Sequence, residues 1–553
     1  MFFRSRQHLL EPGVIFIVIA LGLFLWGLFG AFHAPIYPDE VTYRLFLERF
    51  FVADGLKQSV TPYCAEGFLV APPTLLLPAA ATWSLLSFFG GGYWSYRIVP
   101  AVCWLIIFAA LYWHGRRHGS QSFWLLLLLL LPGPSIYSLI LLRPEIVLLM
   151  LGVLIYVWGS NQILTSRFIP VLLSALLIGF IYSLALYMHP KIVYMAPALV
   201  LALSLRFRDL PSAPVRFTFL VAGYMFIGGL VLGAIGLHKL QYTSCAAYPA
   251  LAETMSMQAV DPQQFFSAPI QFFVKLEEAF SPSLWALTAE RLSYWSEYET
   301  AFLPGTVAAT STLVNIRYAV VITFTLVLAT SFVSQIKALS NKPKRSKFWP
   351  ALLLLTVGLG LIGPFLLNLK RHFYDVSLLV ASIVVIACLT QTLLFEKNQS
   401  TSECKRKVLK VALPFILLCM GIFGTMMNVH FVERFLAGYE GPSISIQKLP
   451  EQKRLAVRIN QSLEKIGVAH HEPLLIDDFT YDWVLEHPRL YPITYLTAHP
   501  SLVKDVAINV ASYDIHYGVV RCNSLNTFKP LVPVTVVETI RSPIIDDICV
   551  FTL

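Results

Sequence analysis

Charged residues are scarce in this chain of 553 residues, since Asp, Glu, Lys and Arg together make up 13% and hydrophobic residues make up 56%. Soluble domains carry roughly one quarter of charged residues, so the composition excludes a soluble globular protein. The lack of any long polar tract also excludes a disordered or fibrous chain. Present instead are several apolar runs of about 20 residues, a length that crosses a bilayer as a helix. The sequence therefore predicts a polytopic membrane protein.

Several familiar motifs are also missing. The chain has no Walker-type loop, no Gly-x-Gly-x-x-Gly after a strand, no Cys-x-x-Cys pair and no His-Glu-x-x-His. These absences argue against ATP-driven transport and zinc proteolysis of the familiar kinds. The eight cysteines are too few for a disulfide framework. Cys522 and Cys549 remain candidates for a single disulfide if their compartment is oxidising.

The positive charge of the chain, a formal net +9, indicates membrane topology rather than nucleic-acid binding. Lys and Arg fall in short clusters between apolar runs, as they do in cytoplasmic loops. The clusters are Arg4/Arg6, Arg116/Arg117, Arg167, Arg206/Arg208, 337–347 and 397–410. Placing all of them on one side predicts a cytoplasmic N-terminus, an outside C-terminus and no nucleic-acid partner.

About eleven membrane spans follow from this arrangement by the usual length criterion. They are Pro12–Phe32, Tyr93–Trp113, Phe123–Leu142, Ile146–Trp158, Phe168–Tyr187, Val193–Leu205, Phe217–Leu237, Leu313–Ile336, Trp349–Leu367, Val376–Phe395 and Val408–Met427. The apolar segment Pro72–Phe89 opens with two prolines. If it crossed the membrane, every later positive cluster would lie on the opposite side. We therefore predict a re-entrant or interfacial helix there, on the outer face.

The composition changes after Met427, where charged residues become common and short β-rich runs appear. The runs are Pro473–Ile476, Gly518–Cys522, Pro533–Val537 and Ile548–Leu553, with helical patterns at Gln452–Ile466 and Val503–Ser512. The predicted fold class is a polytopic all-α membrane protein with a small C-terminal extracytoplasmic α/β domain. Its transmembrane domain is predicted at residues 1–430, with outer juxtamembrane loops 33–92 and 238–312, and the α/β domain at 431–553.

Four short polar groups meet at the outer membrane surface in this topology. They are Asp39-Glu40, Arg143-Pro144-Glu145, His189-Pro190-Lys191 and Lys370-Arg371-His372. Ionisable groups at the ends of spans are costly unless they are paired or line a wet cavity. Two adjacent carboxylates serve as a general base, as metal ligands or as a helix N-terminal charge pair. The convergence of carboxylates and cations predicts a site.

Each of these groups also has a simpler interpretation. Asp39 caps the following helix equally well, and Glu145 pairs with Arg143 as readily as it holds a metal or an acceptor. Interfacial Lys and Arg side chains are common on membrane proteins. The tail residues His470-His471 and Asp477-Asp478 are explained more simply by a solvated loop and a strand end, so they are left out of the predicted site.

The membrane part resembles the GT-C glycosyltransferases. The resemblance rests on the N-in first span, the outer Asp39-Glu40 loop, the Pro72-Pro73 helix that ends in the stretch Gly90 to Arg97, and Arg143-Pro144-Glu145. Within that superfamily the sequence is most similar to bacterial members related to protein O-mannosyltransferases and to the aminoarabinose transferase of lipid A.

The resemblance implies transfer of a sugar from a polyprenyl-phosphate donor to a lipid A, protein or cell-envelope glycan acceptor on the outer face of a bacterial inner membrane. In the family the acidic residue of the first loop is catalytic, which corresponds to Asp39 with Glu40 beside it. Glu145 stands where the family usually has Asp. Some relatives need a divalent metal ion, for which Asp39 and Glu145 would be the ligands. The candidates for binding the donor phosphate are Arg97, Arg143, His189, Lys191, Lys370 and Arg371.

Two other classes of protein keep the same topology. A transporter or flippase would line a translocation path with its charges, but transporters carry ionisable residues near mid-membrane and broken helices in repeats, neither of which is visible in this sequence. A non-catalytic assembly protein of envelope polysaccharide synthesis would tolerate the loss of Asp39. The enzyme remains the favoured interpretation.

Overall fold

The computed structural model describes helices in the first part of the chain and most of its C-terminal part. The described residues are 12–33, 97–118, 144–160, ten positions between 173 and 195, and 449–553 without 478–479, 485–486, 488, 494–509, 512–513 and 544–545. The predicted spans between 201 and 427, the helix predicted at Pro72–Phe89 and the domain boundary at residue 430 lie outside the described residues.

Three helices are described in the membrane part: α1 (Pro12–His33), α2 (Ile98–His118) and α3 (Pro144–Ser160). Two of them begin with proline, which fits the first helical turn because its missing N–H has no partner there anyway. The predicted span Pro12–Phe32 agrees with α1. Helix α2 continues through Arg116 and Arg117, beyond the predicted end at Trp113, because cations are favourable near a helix C-terminus.

Helix α2 carries apolar side chains on its outside as well as on its inside. Its exposed side chains include Val102, Leu105, Ile106 and Trp113, whereas its buried ones include Trp104, Ile107, Leu111 and His114. A surface of this kind would be unfavourable in water and suits lipid. Among the described residues, α2 is also the one helix long and apolar enough to cross a bilayer, over Ile98–Arg117.

Helices α2 and α3 pack against each other and run in the same direction. The rings of His114 and Tyr156, near the C-terminal ends of α2 and α3, lie 5.0 Å apart between centroids. Since the helices contact each other extensively, their N-terminal ends also share one end of the bundle. The topology prediction requires this parallel direction, because it places one further span, Phe123–Leu142, between them. That span lies outside the described residues.

The C-terminal part contains a five-stranded mixed sheet. Its elements are α4 (Leu449–Lys465), β1 (Leu474–Ile476), a 3₁₀ turn (Tyr481–Trp483), β2 (Leu490–Pro492), β3 (Tyr517–Arg521), α5 (Cys522–Phe528), β4 (Thr535–Ile540) and β5 (Ile548–Thr552). The strand order is β2-β1-β3-β5-β4. β1 is parallel to both β2 and β3, whereas β5 is antiparallel to β3 and β4.

Both faces of this sheet are covered. Val519 and Val550 point into a core that includes Leu455 and Ile459 of α4. Their strand neighbours point to the opposite core, which α5 covers with Leu525 and Phe528. Successive side chains of a strand alternate between faces. A central strand that is apolar on both faces, such as β5, therefore buries alternate residues against α4 and against α5.

The four β-rich runs found in the sequence correspond to β1, β3, β4 and β5, with ends shifted by up to three residues. Strand β3 ends one residue before the predicted run Gly518–Cys522 does, because Cys522 begins α5. Strand β2 was not predicted, since three residues that end in Pro492 give no alternation, and proline is tolerated only on an edge strand such as this one. Gly518 leaves room for the ring of Phe551, its partner across β3 and β5.

Candidate functional site

Two of the predicted site residues, Arg97 and Glu145, are described, and both are almost completely buried. Arg97 immediately precedes α2 and is 3% exposed, and Glu145 lies in the first turn of α3 and is 1% exposed. Because α2 and α3 run in parallel, both residues lie at the same end of the bundle. Neither side chain is free of interactions. The structure thus gathers a buried cation and a buried carboxylate at one end of two membrane helices.

The helix termini act differently on these two charges. The N-terminal end of a helix carries a partial positive charge, which stabilises the Glu145 carboxylate in the first turn of α3. The same dipole of α2 opposes Arg97. A buried guanidinium in that position requires nearby anions or acceptors, because burying an uncompensated charge is strongly unfavourable.

The opposite end of α2 has the features of a membrane–water interface. The Arg117 guanidinium lies 3.9 Å from the centroid of the Trp113 ring, and Arg116 is exposed beside it. A cation over an indole ring and aromatic residues at the headgroup level are typical of such an interface. The exposed basic cluster Arg116/Arg117 thus lies at the end of α2 that is opposite to Arg97, as the predicted topology requires.

The remaining predicted site residues lie outside the described residues. They are Asp39, Glu40, Arg143, His189, Lys191, Lys370 and Arg371. Their convergence with Arg97 and Glu145 therefore stays a prediction. No group of three or more His, Cys, Asp or Glu side chains is arranged to hold a metal within the described part of the chain. With Asp39 outside that part, the predicted divalent metal ion remains untested.

A second polar cluster, which the sequence interpretation missed, surrounds Asp477 at the end of β1. Asp477 as a whole residue is 1% exposed. Its Oδ2 accepts hydrogen bonds from the backbone N–H and the Nε–H of Arg521, each 2.9 Å long, and from the Ser524 hydroxyl at 3.0 Å. Its Oδ1 accepts the Thr480 backbone N–H at 2.9 Å. The carboxylate thus joins β1, β3 and α5.

Burial alone would raise the pKa of the Asp477 carboxyl, but the charge of the Arg521 guanidinium and the hydrogen bonds from Arg521 and Thr480 outweigh it. The pKa of this carboxyl is held below its ordinary value of 3.8. Asp477 is therefore ionised at neutral pH. Its four acceptor contacts are all made within the protein, so the cluster is built for holding strands together rather than for binding a ligand.

The sequence contains a pattern that indicates the polar cluster around Asp477. Asp477 follows one apolar strand, and Arg521 ends another. The carboxyl ends of neighbouring parallel strands meet at one edge of a sheet. The parallel pairing of β1 with β3 was not deducible from the separate runs, so the two residues were not connected. The interpretation of His470 and His471 as residues of an exposed loop agrees with the structure.

A disulfide between Cys522 and Cys549 lies next to this cluster. Cys522 directly follows Arg521, and its backbone N–H donates to the Asp547 carbonyl at 2.7 Å. The bond therefore joins the start of α5 to β5, the strand that pairs with β3. The sequence named this pair as candidates for a disulfide, and the structure contains it.

Solved structures with a similar fold include two crystal structures of ArnT from Cupriavidus metallidurans, one bound to undecaprenyl phosphate and one in the apo state. Their TM-scores are 0.50 and 0.51, with 14% sequence identity and 97% of both chains covered in each case. ArnT has the GT-C fold. The chain has the GT-C fold. No protein-family model and no curated protein matches it.

This fold is the one implied by the resemblance of the residues around Asp39, Arg97 and Glu145 to the GT-C glycosyltransferases. It also confirms the coarser part of the fold prediction, a polytopic membrane protein. The number of eleven spans, the orientation of the termini and the domain boundaries remain predictions. With 14% identity, the similarity concerns the path of the chain rather than its chemistry.

Proposed function

We propose that this protein transfers a sugar from a polyprenyl-phosphate-linked donor to an acceptor on the outer face of the bacterial inner membrane. One observation carries the proposal: the GT-C fold extends over 97% of the chain, and the ArnT structure with that fold is bound to undecaprenyl phosphate. Proteins with one fold often differ in function, so the proposal depends on the site residues as well.

The described end of α2 and α3 supports the proposal. A polyprenyl-phosphate sugar presents a negatively charged phosphate at the bilayer surface, with its chain in the membrane. Arg97 provides a buried cation at the end of a membrane helix, and an Arg guanidinium binds phosphate through two parallel hydrogen bonds. In the proposed site Arg97 binds the donor phosphate together with Arg143, His189, Lys191, Lys370 and Arg371.

The proposed chemistry is displacement at the anomeric carbon of the sugar. An acceptor hydroxyl oxygen forms the new bond, Asp39 takes the hydroxyl proton, and the bond between the anomeric carbon and the phosphate oxygen breaks. The polyprenyl phosphate leaves with the electron pair of that bond. Cations near the leaving phosphate lower the barrier because they stabilise the charge that develops on it. Glu40 and Glu145 are the neighbouring carboxylates of the site.

Glu145 has two candidate roles in this proposal. It orients the acceptor or Arg97 through its carboxylate, or it joins Asp39 as a ligand of a divalent metal ion. Carboxylate oxygens are the ligands that such hard cations prefer. The two roles differ in a measurable way, because only the metal role makes transfer depend on added Mg²⁺ or Mn²⁺ after treatment with a chelator.

The Cys522–Cys549 disulfide supports the proposed location of the C-terminal part. Disulfides persist in the periplasm and outside the cell, and are rare in the cytosol. A C-terminal part outside the cytoplasm lies on the same side as the proposed acceptor. The acceptor itself is proposed as a class: lipid A, a protein or a cell-envelope glycan.

The proposal is tested with purified protein, a polyprenyl-phosphate sugar donor and membrane acceptors. We expect Asp39→Asn to lower transfer by about 10²–10⁴-fold, the usual effect of losing a general base. Donor binding should persist in that variant and weaken in Arg97→Gln. Glu464→Gln, on an exposed turn of α4, is the matched control and should keep full activity.

The same experiment separates the enzyme from the two other classes. Undiminished transfer by Asp39→Asn at normal expression would refute the catalytic role of Asp39. Movement of the intact lipid-linked sugar across vesicles without release of polyprenyl phosphate would identify a flippase. Complementation of a deletion strain by Asp39→Asn would identify a non-catalytic assembly protein.

A further inference from the structure

The exposed surface of α4 carries a cluster of cations. Lys453, Arg454 and Arg458 are exposed around Val457, which is 56% exposed although it is apolar. We call these four residues the basic face. No described carboxylate forms an ion pair with any of its three cations.

The arrangement of the basic face is unfavourable for the helix. Arg454 and Arg458 are four residues apart, where like charges destabilise a helix. Lys453 and Arg454 also lie near the N-terminal end of α4, where the helix dipole disfavours cations. Glu451 is the one carboxylate in the first three turns of α4, and it is half-buried. The electrostatics of the helix itself therefore disfavour this cluster, whereas an external anion would favour it.

The position of α4 in the chain identifies the nearest anionic surface. Residues 428–448 connect it to the last predicted span, which ends at Met427. An extended chain covers at most about 3.3–3.6 Å per residue, so α4 is held within about 70 Å of the bilayer. Such tethering raises the effective concentration of the bilayer surface at the basic face.

We propose that the basic face docks on the anionic lipid headgroups of the bilayer from which the C-terminal part emerges. The cations contact lipid phosphates, and Val457 contacts the interfacial region between them. Positive side chains are attracted to anionic lipid surfaces, and the attraction falls off within a Debye length. The other side of α4 packs on the sheet through Leu455 and Ile459, so the helix lies along the surface without entering the membrane.

A hydrogen bond holds the Arg458 side chain in place on the basic face. Its guanidinium Nη1 donates to the carbonyl of Arg541 at 3.1 Å, immediately after β4. This bond limits the movement of the Arg458 side chain on the helix surface. Arg541 is itself exposed. The proposal rests on the three cations of α4.

The test uses the full-length protein in nanodiscs of phosphatidylcholine alone or with phosphatidylglycerol. The rate at which an N-hydroxysuccinimide ester modifies Lys453 is read by peptide mass spectrometry. Lys529 is the internal control, because it is exposed and follows α5 on the opposite side of the sheet. We expect Lys453 to react about fivefold more slowly in the anionic discs, the factor that one cation near such a surface contributes. Lys529 should react equally in both.

Two further measurements make the result specific. High salt should abolish the protection of Lys453, since it screens exposed charges. The double variant Arg454→Gln/Arg458→Gln should also abolish it. Equal Lys453 rates in both kinds of disc would overturn the proposal. Protection in phosphatidylcholine discs by added inorganic pyrophosphate, without any effect of phosphatidylglycerol, would also overturn it and indicate a site for a soluble phosphate. None of these outcomes depends on transferase activity.

Discussion

Replacement of Asp477 by Asn tests the polar cluster at the end of β1. The variant keeps the shape of the side chain but removes its charge. An amide group in place of Oδ2 would face the N–H groups of Arg521, which are donors as well. The Arg521 side chain, 15% exposed, would lose its closest anion. Breaking a buried ion pair by removing one partner costs about 3–5 kcal/mol.

Hydrogen exchange of the full-length protein measures this loss locally. A decrease of about 3–5 kcal/mol lowers the protection of the β3 amides by about 10²–10⁴-fold when exchange proceeds through unfolding of the sheet. Asp546→Asn is the matched control, because that carboxylate is exposed and lies 4.0 Å from the same guanidinium. An exposed pair contributes about 0–1 kcal/mol. Equal protection in the two variants would refute the structural role of Asp477.

The same pair predicts a pH dependence. The pKa of the Asp477 carboxyl is lowered in the folded protein, so the unfolded state binds the proton more readily. The contribution of Asp477 to stability is therefore complete above the ordinary carboxyl pKa and is lost as the pH falls below about 4. The difference between wild type and Asp477→Asn should be constant from neutral pH to about pH 5 and shrink in acid. A difference that grows in acid would contradict this assignment.

Three further predictions concern the sheet and the proposed reaction. Gly518→Ala places a methyl group against the Phe551 ring and should destabilise the sheet by about 1–3 kcal/mol in the same exchange experiment, and unchanged protection would contradict that packing. Cys522→Ser should cost about 3.5 kcal/mol by loop entropy for the separation of 27 residues to Cys549, and non-reducing peptide mass spectrometry of the wild type should find the linked pair. Chelator treatment should abolish transfer if Asp39 and Glu145 hold a metal ion, and leave it unchanged if they act without one.

Two of the predicted membrane spans match described helices. The span Pro12–Phe32 corresponds to α1, and Ile146–Trp158 lies within α3. The ends of these helices were less predictable. An apolar run ends at the first charged residue, whereas the helix extends as far as its backbone hydrogen bonds continue. Arg116 and Arg117, in the last turn of α2, are helical for this reason. Glu145, in the first turn of α3, is helical for the same reason.

The candidate site was only partly predictable. Arg97 and Glu145 were predicted as site residues from short motifs at the ends of spans, and the structure shows that both are buried, while their role in a site stays a prediction. The Asp477 cluster could not be deduced, since it depends on which strands pair and in which direction. Strand order is a long-range property, and neither β1 nor β3 specifies its partner through its own residues.

The most direct measurement is a structure of the protein with bound undecaprenyl phosphate. The account predicts the phosphate within hydrogen-bonding distance of the Arg97 guanidinium, at the end of α2 and α3 that carries Glu145, with Asp39 on the same side of the membrane. A phosphate bound at the Arg116 and Arg117 end, or Asp39 and Arg97 on opposite sides of the bilayer, would contradict it.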